Sequence, residues 1–583
     1  MISLTTVNYS DIYPGPIPKL GQVLEGIHSK AVIVLMAVVN AELNGEADDE
    51  EIQVRISGFM TKDISGLQKS FFQDRLRYFA SRKPGGPVTL WAKRYALALM
   101  EYEFENFRDT GTTVIGPDAA LNILKAYLII TEELNEKDRL ELILVTNTLN
   151  DHPATGKFFF EKLVWPFLLQ QWDMNNRVDP VYEYFRLLAF IKYSLTDELL
   201  INSWKEFISS HGFETLRVYL TSVYQLIKIT TERFPDRDFK VFSWLEISDT
   251  PKHWVNMSLT KDDFIADPSR KIDYKGIREK PLFQVEEQKF VILDHHFLNN
   301  KIYNGLLFDF YNRGSSIQSR FKKFLDFKTH VSSNVSEKFI FNAIFRKLFA
   351  HRKTILQFDE SAVDGHPDLY LRNGDKIFLI EFKDYLFPGK IVEAYSFDTI
   401  KEHVDLKFVK NEKGKNKGVS QIVEQLKMLS EDKFPFDQFK ADKNIAVYPI
   451  IVHTNFTYQL PGINHYLNEE FRSKIQTDLP NQPFKLYDLT LINLEVFFDM
   501  LQLVTFDITQ FESWLFRYKH ILLKREKQLV KEVNRNNFVR ARASFDDIFS
   551  TVIRPELESV TERIASNIFY QVLKLEESMY DAF

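Results

Sequence analysis

Residues Gly365 to Asp384 read GHPDLYLRNGDKIFLIEFKD, and the way this stretch folds back on itself decides what the rest of the chain surrounds. Asn373-Gly374 is a strong short-range hairpin signal, because both central positions of a type I′ turn take positive φ. With those two residues as the loop, Arg372 pairs with Asp375, and counting back along both strands sets Asp368 opposite Leu379. Side chains alternate with period two along a strand, so Leu379, Glu381 and Lys383 share one face and Asp368 joins them. Leu369, Leu371, Ile377 and the run Phe378 to Phe382 make both faces largely apolar, so the charged cluster is expected to be partly buried.

Diagonal cross-strand neighbours lie about 7–8 Å apart. Across that gap Asp368 and Glu381 can share a divalent cation, with oxygen ligands at about 2.1 Å for magnesium. Phosphodiester hydrolysis needs such a cation as Lewis acid, and an adjacent ammonium can orient the attacking water and stabilise the charged transition state. Lys383 is placed to do this. The structural alternative is plain ion pairing of Asp368 and Glu381 with Lys383, Lys376 or Arg372 across an exposed sheet face. A buried acid pair without a cation is costly, which favours the metal. Asp359 and Asp364 are the substitutes for Asp368 under another register.

From about residue 331 to 500 helix and strand alternate. The helix SEKFIFNAIFRKLFA precedes the strand TILQFDE and the hairpin. The helix VSQIVEQLKMLSED, the strand NIAVYPIIVHT, the strand FKLYDLTLI and the helix NLEVFFDMLQLV follow. A strand, a helix and another strand predict a crossover into a partly parallel sheet.

Pro367-Asp368, then 12 residues, then Glu381-Phe382-Lys383 resembles the PD-(D/E)xK signature of restriction-endonuclease-like nucleases, whose core is a helix, three strands, a helix and a strand. The likeness runs from Ser333 to Thr454. It implies an α/β core with a mixed sheet flanked by helices, Asp368 and Glu381 as ligands of Mg²⁺ or Mn²⁺, and Lys383 as the catalytic lysine. In many such proteins an acidic residue on the first core helix completes the metal shell. Glu337 holds that position here, and its other reading is a first-turn carboxylate favoured by the helix dipole. Gln421-Ile-Val-Glu-Gln425 resembles the Gln-x-x-x-Tyr of RecB-type members, with Gln425 where those carry Tyr, and makes Gln421 and Gln425 supporting residues.

The 583 residues are too many for one ordinary core and set an expectation of about two to four domains. Residues 1–255 read as a helical module for sensing or partner binding and 256–330 as a β-hairpin connector. Residues 331–510 form the nuclease-like domain and 511–583 a basic helical segment, so the whole is a multidomain, mostly α-helical chain. The amino-terminal helices are punctuated by Pro84-Gly85-Gly86 and Asn150-Asp151-His152-Pro153. In the connector, PLFQVEEQKFVILDHH and YNGLLFDFY alternate as short strands. His295 and His296 would then point to opposite faces, which favours a structural role over a metal site.

With 45% apolar and 26% charged residues the composition is that of a globular protein, and 52 Phe favour large cores. There is no cysteine, which excludes thiolate metal sites, disulfides and cysteine nucleophiles, so oxygen or imidazole must hold any metal. The apolar run AVIVLMAVV from Ala31 is nine residues, against roughly 20 for a membrane span. No leader is apparent, and a cytoplasmic protein without membrane contact is expected.

A net charge of −6 leaves phosphate contact to local patches. Lys519 to Arg542 carries eight Lys or Arg against two Glu, including Lys524, Arg525, Lys527 and Lys531. The loop KNEKGKNKG adds Lys413, Lys415 and Lys417. Each reads as a nucleic-acid contact or as a solvated surface. The acidic tract GEADDEE, from Gly45 to Glu51, reads as a solvated loop.

These features converge on a metal-dependent nuclease, expected to be a DNA endonuclease of prokaryotic restriction or antiphage defence. The alternatives are an RNA nuclease and a catalytically silent nucleic-acid-binding or scaffold subunit. No Walker-type glycine-rich loop is present, so an ATPase or regulatory partner would be a separate chain, and a homodimer would allow two strands to be cut.

Overall fold

The computed structural model describes the chain apart from residues 1–4, 44–49, 83–87, 150–164, 167, 170–171, 173, 175–177, 232–243, 247–251, 264–273, 351–352, 360–364, 395, 435–436, 438, 440, 502–506, 533–534, 555–570, 577–578 and 580–583. The Pro-Gly-Gly and Asn-Asp-His-Pro breaks, most of the acidic tract, Asp364 and most of the final amphipathic stretch therefore lie outside the described residues.

The amino-terminal part is helical, with one short parallel pair, β1 (Thr5–Thr6) and β2 (Val88–Thr89). AVIVLMAVV lies in the helix Ser29–Leu43, which is buried nearly all round and packs on the helix Lys93–Glu105. A helix apolar on every side belongs in a core. No described helix is long and apolar enough to cross a membrane.

Next comes a three-stranded antiparallel sheet in the order β3 (Trp244–Glu246), β5 (Lys289–Ile292), β4 (Leu282–Glu286). Its hairpin sits between two cores. Leu282, Phe290 and Ile292 face the large core, whereas Phe283 and Val291 face the amino-terminal one. Period-two alternation buries both faces of so small a sheet. The connector departs from expectation after β5. Asp294 caps a helix, His295–Asn300, by accepting from the Phe297 N–H at 2.8 Å, so the two histidines are helical. YNGLLFDFY is not a strand but lies almost wholly in the helix Asn304–Arg313. Tyr303, Leu306, Leu307, Phe310 and Tyr311 are its buried positions, a spacing of three and four that an alternating pattern also contains.

Residues 354–493 hold a mixed six-stranded sheet within this mostly helical chain. Strands β6 (Thr354–Phe358), β7 (Leu369–Asn373) and β8 (Lys376–Lys383) form an antiparallel meander. β8 then pairs in parallel with β9 (Ala446–His453) through the helices Phe397–Phe408 and Gly418–Ser430. FKLYDLTLI is two strands rather than one, β10 (Lys485–Leu486) and β11 (Thr490–Asn493), both parallel to β9. The break coincides with Pro449 in β9, which has no N–H to offer the ladder.

The sheet is covered on both faces. Phe378, Ile380 and Phe382 face the large core with the continuous helix over 332–349, whose first part, Ser332–Phe341, is a π-helix. Ile377 and Leu379 face the helices Phe397–Phe408 and Gly418–Ser430. The large core also takes in Tyr182, Phe185 and Trp204 from the helices Pro180–Ser194 and Glu198–Ser210, which thus pack on the sheet side of the molecule.

Candidate active site

The turn that sets the site differs from the expected one. The ladder runs Asn373↔Lys376, Arg372↔Ile377, Leu371↔Phe378, Tyr370↔Leu379, Leu369↔Ile380. Gly374 and Asp375 are thus the loop, in place of Asn373 and Gly374. Gly374 has φ +64°, whereas neither Asn373 nor Asp375 has a positive φ. Positive φ at the first central position alone belongs to a type II′ turn, in which glycine is preferred there. The register moves by two residues, which preserves the face of every side chain. Continued one step, it sets Asp368 opposite Glu381 rather than opposite Leu379.

The three expected residues meet on that face. The Lys383 ammonium donates to Glu381 at 2.7 Å and to Asp368 at 3.3 Å, through the Oε2 and Oδ2 atoms. The same Asp368 Oδ2 accepts from the Phe382 N–H at 2.6 Å, which locks the end of β7 to β8. Glu381 is fully buried and Lys383 is 7% exposed, while Asp368 is half-buried. Of the ion-pair alternative, the Lys383 pairing is present, but on a buried face rather than an exposed one. Lys376 pairs with Glu512 and Arg372 with Asp437 instead.

Gln425 closes the far side of Glu381, its Nε2 donating to Oε1 at 2.6 Å. Gln421, one turn earlier, makes no such contact, and its Oε1 is buried without a partner among the described residues. Glu337 reaches the cluster from the other face, off the π-helical segment, and shares a cleft with Asp368 and Lys383. Among the described residues no three carboxylates or imidazoles are drawn into one metal-holding group, and Lys383 bridges Asp368 and Glu381.

The charges are unbalanced. Burial, reinforced by the Asp368 charge, raises the Glu381 carboxyl and pushes Glu337 up to about 7. Burial opposes the Lys383 charge, but Asp368 and Glu381 outweigh it and hold the ammonium above its ordinary value. One ammonium thus pairs with two carboxyl groups, Asp368 and Glu381, while Glu337 stands in the same cleft, and burial holds both glutamates toward their protonated forms. The donors are all carboxyl oxygens, the ligand type of hard divalent cations.

Comparison of the chain with models of protein families, with curated proteins and with solved structures finds no match.

Several site residues escaped the sequence. Asp384, directly after Lys383, is buried and accepts from Lys328 at 2.6 Å and from Thr454 at 2.6 Å. Burial alone would raise this carboxyl, but Lys328 and Arg186 hold it well below the usual carboxylate range. Arg186 is itself paired with Glu183 at 2.8 Å and lies over the Tyr303 ring at 4.1 Å. This network fastens the end of β8 to the helices Phe324–Val331 and Pro180–Ser194. Its only local signal was a charge inside an apolar run.

The basic segments divide. KNEKGKNKG is an ordered turn: the Asn411 Oδ1 accepts from the Lys413 and Lys415 N–H groups at 3.0 and 2.9 Å, and Lys410 bridges to Asn416. Lys413 and Lys415 are exposed, whereas Lys417 lines the cleft beside Lys383. On the helix Ile508–Lys531, Lys524, Lys527 and Lys531 are exposed and Arg525 donates to the Arg540 carbonyl. None of these four lines the cleft that holds Asp368.

Proposed function

We propose that this chain is a metal-dependent nuclease of the PD-(D/E)xK type, hydrolysing phosphodiester bonds. DNA is its proposed substrate, and prokaryotic restriction or antiphage defence in the cytoplasm its proposed setting. One observation carries the reading: Asp368 and Glu381 stand opposite each other at the end of β7 and β8, bridged by Lys383, where the sheet opens into a cleft of about 1240 Å³. The order of elements around that point, helix, three antiparallel strands, helices and a parallel strand, supports a restriction-endonuclease-like core.

Asp368 and Glu381 would hold the Mg²⁺ or Mn²⁺ ion, with Glu337 the third acid at hand. When bound, the ion supplies Lewis acidity and offsets the charge of the attacked phosphate. Gln425 fixes the Glu381 carboxyl by one hydrogen bond to Oε1, and Oε2, now held by Lys383, is the oxygen that would turn to the ion. Lys383, released from the carboxylates, is placed to orient the attacking water and to stabilise charge on the phosphate oxygens. Glu337, which lines the same cleft as Asp368 and Lys383, would be the acid nearest the attacking water if it does not bind the ion.

The catalytically silent alternative rests on the Lys383 bridge, which partly neutralises the carboxylates without an ion. Incubation of plasmid, single-stranded DNA and RNA with the protein in Mg²⁺, Mn²⁺ or EDTA separates the readings. The expected result is metal-dependent cutting of DNA that is lost in Asp368→Asn and Lys383→Met. Metal-dependent cutting that survives both substitutions would overturn the site, cutting of RNA alone would change the substrate, and no cutting under any condition would favour the silent subunit.

A further inference from the structure

The cleft that opens over Asp368 and Lys383 has a second wall, and that wall comes from outside the nuclease-like region. Its near side is the chain that continues from β8, with Tyr385 and Lys390, backed by Lys407 and Lys417. Its far side is built by the helices Lys275–Glu279 and Asn304–Arg313, with Lys137 behind them. At about 1240 Å³ the space exceeds the about 300–1,000 Å³ typical of a pocket for one small molecule.

Acids line it as well as cations, and two kinds of group bear on a ligand. Lys390, Lys407 and Lys417 make no ion pair among the described residues, and Lys407 lies over the Tyr385 ring at 5.3 Å. Cations left without carboxylates beside a phosphodiesterase-like centre are what an anionic backbone needs. The second group is aromatic. Phe308 is 43% exposed at the cleft and stacks on Phe324 at 3.9 Å with 18° between the rings. Arg278, also on the cleft lining, covers the buried Phe297 ring at 4.5 Å. Phe308 thus holds one ring face partly in water in the same cleft as these lysines, a platform of the kind on which nucleic-acid bases stack.

We propose that the cleft takes a single-stranded nucleic acid segment, its backbone along Lys390, Lys407 and Lys417 and a base stacked on the exposed face of Phe308. A single strand presents the faces of its bases, which stack on aromatic side chains whatever the sequence. A duplex keeps those faces inside and would have to be unstacked first. This rests on the nuclease reading for the chemistry at Asp368, and it names the form in which substrate reaches that residue: an end, a flap or an unpaired stretch.

The test is fluorescence anisotropy with the full chain in EDTA, where no cutting occurs, using fluorescein-labelled oligothymidine and its duplex with oligodeoxyadenosine. The single strand is expected to bind about tenfold or more tighter than the duplex, and Phe308→Ala to weaken it about tenfold while duplex binding stays constant. Phe308→Leu, which keeps apolar volume but not the ring, is expected to behave like Phe308→Ala. Lys407→Ala is expected to reduce the slope of log affinity against log salt by about 0.7. Equal or tighter duplex binding, binding of neither probe, or single-strand affinity unchanged in both Phe308 variants would overturn the proposal. Selective single-strand binding without any cutting in Mg²⁺ would overturn the nuclease reading and leave this one standing. Asp368-dependent cutting without single-strand preference would do the reverse.

Discussion

The Lys383 ammonium touches Glu381 at 2.7 Å and Asp368 at 3.3 Å, so a single cation joins two carboxylates that face each other across a β-ladder. Breaking a buried charged pair by removing one partner costs roughly 3–5 kcal/mol, because the remaining charge is left in a poor solvent. Lys383→Met is expected at the lower end of that range in urea unfolding, since Glu381 can take up a proton. The double variant Lys383→Met with Glu381→Gln should recover most of the loss. A neutral Lys383→Met would mean that the ammonium does not bridge the two acids.

The protonation of the acids links stability to pH and metal. Glu337, at about 7, and Glu381 are both raised above the ordinary glutamate value of 4.5. A raised carboxyl pKa favours the folded state below the unfolded value and loses that contribution as pH rises through the folded value. Metal-free protein is therefore expected to melt at a lower temperature at pH 8 than at pH 5.5, as far as these two groups decide it. Mg²⁺ competes with the protons, so the rise in melting temperature on adding Mg²⁺ should grow over the same interval. A Mg²⁺ effect that shrinks with rising pH would contradict these assignments.

Gln425 is the neutral donor that holds Glu381 in place. Gln425→Leu removes a hydrogen bond that favours the charged carboxylate, so the Glu381 pKa should rise further. Loss of such a ligand-orienting partner commonly costs about 10–100-fold in metal affinity or activity. Cleavage at neutral pH is expected to fall by that order and to recover partly at higher pH. A uniform loss at all pH values would point to simple disruption of the helix.

The Lys328–Asp384 pair is buried on both sides, with side chains 4% and 2% exposed. Lys328→Met should cost about 3–5 kcal/mol in chemical unfolding and lower cleavage by loosening the end of β8. Lys433→Met removes an ion pair to Glu431 whose side chains are 72% and 55% exposed, and should cost under about 1 kcal/mol. Similar losses in the two variants would contradict the anchoring role of Asp384.

The acidic pair and its lysine were legible because strand parity survives an even shift. The expected register was two residues off, yet Asp368 still arrived on the face of Glu381 and Lys383. The turn itself was misread because Asn-Gly fits a type I′ loop, whereas the structure spends the asparagine as the last residue of β7 and turns on Gly374-Asp375. Tyr303 to Tyr311 was misread for a related reason: its apolar positions satisfy both periods, and packing on the helices Pro180–Ser194 and Glu198–Ser210 selects the helix. Gln425 stood out through its spacing from Gln421. The Asp384 network and the far wall of the cleft join residues tens to hundreds of positions apart, such as Arg186 with Tyr303, and no local period records such pairings.

The most direct measurement of the central claim is anomalous scattering from crystals of the protein soaked in Mn²⁺. The expected result is a peak within about 2.0–2.3 Å of carboxylate oxygens of both Asp368 and Glu381, with the Lys383 ammonium withdrawn from between them. A peak bound elsewhere, or none, with Lys383 still bridging the two acids, would contradict the account.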